Sequence, residues 1–123
     1  MVGKLVIIPS MRRCIPVRWG SKLKKEDILI QTDNVQVRII ELQAGDSTPF
    51  HHHSEITDNM FGISGEITVE MKNPAEKIIL LPGSHCQVEP GRKHQVRNHL
   101  TTSTSKYLLV QGIGKYDFVK ETP

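Results

Sequence analysis

Wherever this chain is periodic, the period is two. Val35, Val37 and Ile39 alternate with Gln36 and Arg38, and Ile67, Val69 and Met71 alternate with Thr68, Glu70 and Lys72. Such spacing predicts half-buried β-strands whose apolar faces carry those residues. Turn chemistry interrupts the strands at short intervals: TDN at 32–34, AGD at 44–46, KNPAE at 72–76, LPGS at 81–84 and EPGRK at 89–93. No window longer than about ten residues holds a helical stripe, although KKEDIL at 24–29 is compatible with one helical turn. Many short strands at this spacing predict an all-β sandwich or barrel.

With 123 residues the chain has the size of one domain. Residues 1–30 are expected to form an N-terminal arm or edge strand, and residues 31–123 the barrel. The apolar patch LVII near the start is too short for a signal peptide, and no run approaches the roughly 18 residues of a membrane span. A cytoplasmic protein without a membrane partner is expected. Cys14 and Cys86 do not make a disulfide framework or a zinc ribbon, and both are read as small, partly buried hydrophobes. The net charge of +3 is concentrated in RRCIPVRWGSKLKK at 12–25, which lacks any nucleic-acid-binding pattern. It is read as a solvated basic face, with Trp19 in a core or subunit contact and no nucleic acid as partner.

Three of the six histidines stand together, in PFHHHSEITD at 49–58. In an extended segment His51 and His53 share a face and His52 points the other way, which offers two imidazoles to one metal ion. Further ligands have to come from elsewhere. Asp58 precedes the apolar run NMFGISG, His94 follows the turn EPGRK, and Glu55 shares the period-two face of His51 and His53.

These residues resemble the two motifs of the cupin superfamily. Gly45, five residues, His51 and His53, four residues, Asp58, six residues and Gly65 keep the first motif's spacing, with aspartate where the family has glutamate. Gly83, Gly91, His94 and Asn98 keep the second, with Glu89 at the proline position. The resemblance implies a double-stranded β-helix, or jelly-roll, barrel around one divalent transition metal, held by His51, His53, Asp58 and His94. Imidazoles with one carboxylate suit Fe, Mn, Ni, Co, Cu or Zn without choosing among them. From the same backbone position aspartate falls about 1.3 Å short of glutamate, against a metal bond near 2.1 Å. The barrel can close on the ion, a water can bridge, or Asp58 can orient an imidazole from outside the ligand set. Glu55 is the rival carboxylate, and Asn98 is expected to serve strand geometry or a hydrogen bond before ligation. Counting by twos from Asp58 and His94 puts Met60, Gly62 and Val96 into an otherwise apolar pocket, which Gly62 would enlarge. His52, His85 and His99 are expected on the surface.

The resemblance implies either a metal-dependent enzyme of dioxygenase, isomerase or lyase type on a small organic substrate, or a non-catalytic barrel that binds a small sugar or organic acid. An RmlC-like sugar-nucleotide epimerase, which works by a His-Asp acid-base pair, is disfavoured because these histidines have metal spacing. No lysine, tyrosine or further histidine is expected inside as a general acid or base. The strand-like KLVIIP at 4–9 is suited to covering a sheet edge of a second copy, which predicts a homodimer with exchanged arms.

Overall fold

The computed structural model describes residues 24–121, and the described chain is all strand and turn. Ten strands follow in order: β1 (Lys24–Gln31), β2 (Val35–Leu42), β3 (His51–His52), β4 (Thr57–Ser64), β5 (Ile67–Met71), β6 (Glu76–Leu80), β7 (His85–Val88), β8 (His94–Asn98), β9 (Ser105–Gly112) and β10 (Val119–Lys120). They form two five-stranded antiparallel sheets, ordered β1-β2-β9-β4-β7 and β10-β3-β8-β5-β6. The chain crosses from one sheet to the other between β2 and β3, and crosses back between β3 and β4. Repeated crossing of this kind builds a jelly roll.

Between the sheets lies one core, in which Ile40, Met60, Val69, Val96 and Leu109 meet. Strands β8 and β9 bury alternate residues, as period two requires, while β5 buries Thr68 as well as Ile67, Val69 and Met71. β2 buries the face opposite to the one its valines suggest. Ile40 and Leu42 are inside, so Gln36 and Arg38 share their side, while Val35, Val37 and Ile39 lie on the other face. Local alternation cannot rank the two faces of VQVRIIEL, because both carry apolar residues. Partners across the sheets make the choice.

KKEDIL is extended and makes no helical turn: Lys24–Gln31 pairs with β2 along its length as an edge strand of the first sheet. The hairpin turn is closed by Thr32, whose amide donates to the Val35 carbonyl (2.8 Å) and whose hydroxyl accepts from the Val35 amide (3.0 Å). KLVIIP, Cys14 and Trp19 lie outside the described residues, and with them the expected arm exchange.

Gly62 does not open a pocket. A side chain there would collide with the Leu81 carbonyl, because the turn between β6 and β7 crosses at this point, with Gly62 N donating to Ser84 O (3.0 Å) and Gly83 N to Gly62 O (2.9 Å). A bulge between Gly62 and Ser64 ends the inward count that runs through Asp58 and Met60. The glycine allows two backbones to touch.

Candidate metal centre

The motif histidines come from one sheet and the carboxylate from the other. His51 lies in β3, directly opposite His94 at the start of β8, and His53 follows β3 by one residue. Gly91, at φ +82°, turns the chain before His94, and its amide donates to the His53 carbonyl at 2.8 Å. Asp58 stands near the start of β4 in the facing sheet. All four side chains are buried, and one ligand atom from each lies within 4.8 Å of the others.

The tautomers follow from the backbone. Each Nδ1 faces a carbonyl oxygen: His51 that of Pro49 (2.8 Å), His53 that of Asp117 (2.6 Å), His94 that of Arg92 (2.8 Å). Carbonyls only accept, so each Nδ1 carries a proton. In the neutral rings the Nε2 atoms then present lone pairs. Nε2 of His94 lies 3.0 Å from Asp58 Oδ2, and Nε2 of His53 lies 3.3 Å from it. Neighbouring ligands on an octahedral ion with bonds of about 2.1 Å stand about 3.0 Å apart, so these separations suit a shared cation. Two Nε2 lone pairs facing a buried carboxylate otherwise need protons to be stable. The donor set fits a divalent transition metal.

The Asp58 carboxylate reaches the imidazoles despite its missing methylene. Gln111 Nε2 donates to its other oxygen, Oδ1, at 2.8 Å, and Arg38 donates to Gln111 Oε1 at 2.6 Å and to Glu26 at 2.8 Å. This chain of bonds turns Oδ2 toward the histidines. Burial alone would raise the Asp58 pKa, but bonds with His53, His94 and Gln111 outweigh it and hold the group well below the ordinary carboxylate range. Burial likewise opposes charge on His53, yet the Asp58 bond and charge lift its pKa above 6.5. His51 behaves in the opposite way, because burial dominates and pushes it down to about 4.

A pH dependence follows. Below the raised pKa of His53 the metal-free protein holds a proton there, which has to leave when a metal binds, so affinity should fall as pH falls. His51 is already neutral above about pH 5 and adds nothing at pH 6. Calorimetry at pH 6 in buffers of different ionisation heat should show protons released as the ion binds. An enthalpy independent of buffer would contradict this.

A cavity of about 100 Å³ opens beside the cluster. Met60 and Val96 line it and Gly62 does not, and its wall is more polar than the alternation suggests: Arg38, Thr48, Tyr107, Gln111 and Tyr116 all reach it. Tyrosines therefore do stand inside, contrary to the expected pocket that is apolar apart from the metal-binding residues. Glu55 is exposed, accepts from the Lys115 amide (3.1 Å) and lies outside the cluster. Asn98 is buried away from the cluster, in hydrogen bonds to the backbone and to Ser105. His85 is exposed and stacks on Phe61, and half-exposed His99 bonds Thr68. Cys86 is a buried free thiol.

Sequence reasoning missed the segment between β9 and β10. Phe118 stacks on the His51 ring, with centroids 4.1 Å apart and planes at 15°, and Tyr116 lies over Arg38. Asp117 accepts from the Ser54 amide (2.8 Å) and hydroxyl (2.7 Å), which clamps the segment over the mouth of the cavity. The aromatic alternation in YDF at 116–118 was the available signal.

Residues 38–111, more than half of the chain, match the Cupin domain family. The chain belongs to the cupin family. Solved structures agree with its fold. A Klebsiella pneumoniae protein described as having a double-stranded β-helix domain superposes with a TM-score of 0.72 at 22% identity, over 94% of this chain and 97% of that one. KdgF from a Halomonas species gives 0.68 at 15% identity, over 80% and 86%. An oxalate oxidase gives 0.69 at 15%, over 82% of the cupin described here and 57% of its own chain. Identities this low establish the barrel and leave the chemistry open. None of the curated proteins compared matches the sequence.

Proposed function

We propose that this cupin is a metal-dependent enzyme, of dioxygenase, isomerase or lyase type, acting on a small organic substrate inside the barrel. One observation carries the reading: three buried imidazoles, each fixed by a carbonyl at Nδ1, and one buried carboxylate bring a ligand atom apiece to within 4.8 Å of one another. His51, His53, Asp58 and His94 would hold the ion. Once bound it would supply a Lewis acid or a site for dioxygen, with coordination positions left open on an octahedral ion. The protein's own contribution is positional: Gln111 and Arg38 orient Asp58, and Phe118 and Tyr116 limit water at the mouth.

The second reading is a non-catalytic barrel that binds a small sugar or organic acid, and it draws support from the cavity lining, which among the described residues holds no lysine. Elemental analysis followed by oxygen-uptake and product assays with excess substrate separates the two. Multiple turnovers per bound ion support the enzyme; stoichiometric binding without product over a broad small-molecule panel would leave the binder. A cytoplasmic homodimer belongs to the same proposal, supported by the half-exposed Ile28, Leu29 and Ile30 on the edge strand β1. Light scattering that gave only a 13.9 kDa species would refute the dimer.

A further inference from the structure

β2 carries apolar residues on both faces, and only one of those faces meets the core. The other belongs to the outer surface of the first sheet, where strand register sets it beside apolar side chains of β1, β9 and β4. Two outward rows result: Ile30, Val37 and Val110 in one, Ile39, Leu108 and Phe61 in the next. Ile30 and Phe61 are exposed, and the other four are half-buried. The second sheet is different. It turns Glu70, Lys77, Gln95 and Arg97 outward, the polar set expected of a sheet face that meets water. An apolar outer face of this extent marks a contact surface.

The rim of the face bears on what covers it. At one end Lys25, Glu41 and Lys106 stand opposite one another across β1, β2 and β9, with Asp27 one outward row along, so positive and negative charges balance. On the β7 side Phe61 stacks on His85, with centroids 4.4 Å apart and planes at 10°, and Asn59 Oδ1 accepts from His85 Nε2 (2.9 Å) and Gln87 Nε2 (3.1 Å). A face with balanced charge gives a strongly charged partner no field to follow and lets an identical face approach without repulsion. Phe61 is already held against His85, so burying it costs little side-chain freedom. Area points the same way. Five strands about 4.8 Å apart and eight residues at about 3.3 Å cover roughly 600 Å² in plan, and side-chain relief brings this toward the about 800 Å² per copy of a stable pair.

We infer that the outer face of the first sheet packs against the same face of a second copy across a two-fold axis, with Leu108, Val110 and Phe61 at its centre. The inference rests on the dimer reading of the preceding subsection and gives it a surface, sheet face against sheet face, in place of a join along the β1 edge. β9 is the middle strand of the sheet, so its outward residues lie nearest the axis and meet their own counterparts. Facing sheets stand about 10 Å apart with side chains interdigitated, an arrangement that a charge at Leu108 opposes twice, once from each copy.

Light scattering after size exclusion, with sedimentation over a range of concentrations, tests this on the full chain. Wild type should run at twice the 13.9 kDa chain mass. Leu108→Lys should raise the dimer dissociation constant at least about a hundredfold, and Phe61→Ser about tenfold or more. Gln95→Lys, on the outer face of the second sheet, should leave it unchanged. Circular dichroism and thermal unfolding check that each variant keeps the barrel, and Phe61→Ser, at an exposed position, decides if Leu108→Lys does not fold. A wild type that stays monomeric at every concentration would overturn the dimer reading and this inference together. A dimer that withstands both face variants would overturn this inference alone, and its separation by Leu29→Pro, at the bulge of β1, would then put the contact at the strand edge.

Discussion

His94→Ala should empty the metal centre, lowering metal affinity by about a hundredfold or more and leaving less than a tenth of an equivalent after purification without chelator. The reason is geometric. His94 is 1% exposed, faces His51 across the β3–β8 pair, and brings Nε2 to 3.0 Å from Asp58 Oδ2. Alanine removes one of three imidazoles, and among the described residues no other ligand joins the cluster: Glu55, the nearest rival by sequence, is committed to the Lys115 amide. Gln111→Leu should have a smaller effect, weakening affinity about ten- to a hundredfold, because it frees Asp58 Oδ1 and leaves Arg38 one acceptor short without removing a ligand. Elemental analysis and metal titration measure both. Equal metal content in wild type and His94→Ala would remove the four-residue site from consideration.

Asn98→Ala should cost about 3 kcal/mol of stability and lower Tm by roughly 10 °C while leaving metal content per folded chain unchanged. Its amide nitrogen donates to the carbonyls of Leu42, Gln43 and Ser103, and its oxygen accepts from the Leu100 amide and the Ser105 hydroxyl. One buried side chain thus joins the end of β2, the loop after β8 and the start of β9. Alanine leaves several buried polar groups without partners at once, and such groups are expensive in a closed interior. Denaturant unfolding beside elemental analysis separates this structural role from ligation. A loss of metal at unchanged stability would reverse the assignment.

Gln36 and Arg38 show where local reading fails. VQVRIIEL carries apolar residues on both faces, and the valines suggest the face that the fold turns outward. Arg38 is tolerated inside because Glu26, on β1, and Gln111, on β9, meet its guanidinium, and neither is close to it in sequence. Tyr107 and Gln111 obeyed the period of their own strand, since Ser105, Tyr107, Leu109 and Gln111 form its buried set. What their sequence lacked was any sign that this face borders a cavity.

Period two and regular turns already dictate the all-β fold, and fixed motif spacing gathers His51, His53, Asp58 and His94. Both are local properties, written in residues a few positions apart and in motifs of fixed length. Which face of β2 is inside, that Gly62 serves a backbone crossing, that Gln111 aims Asp58, and that Tyr116 and Phe118 close over the histidines were settled by the packing of the two sheets. Each of these depends on which strand lies beside which and at what register. Burial and hydrogen-bond satisfaction summed over both sheets fix that register, and no single strand carries enough of either to announce it.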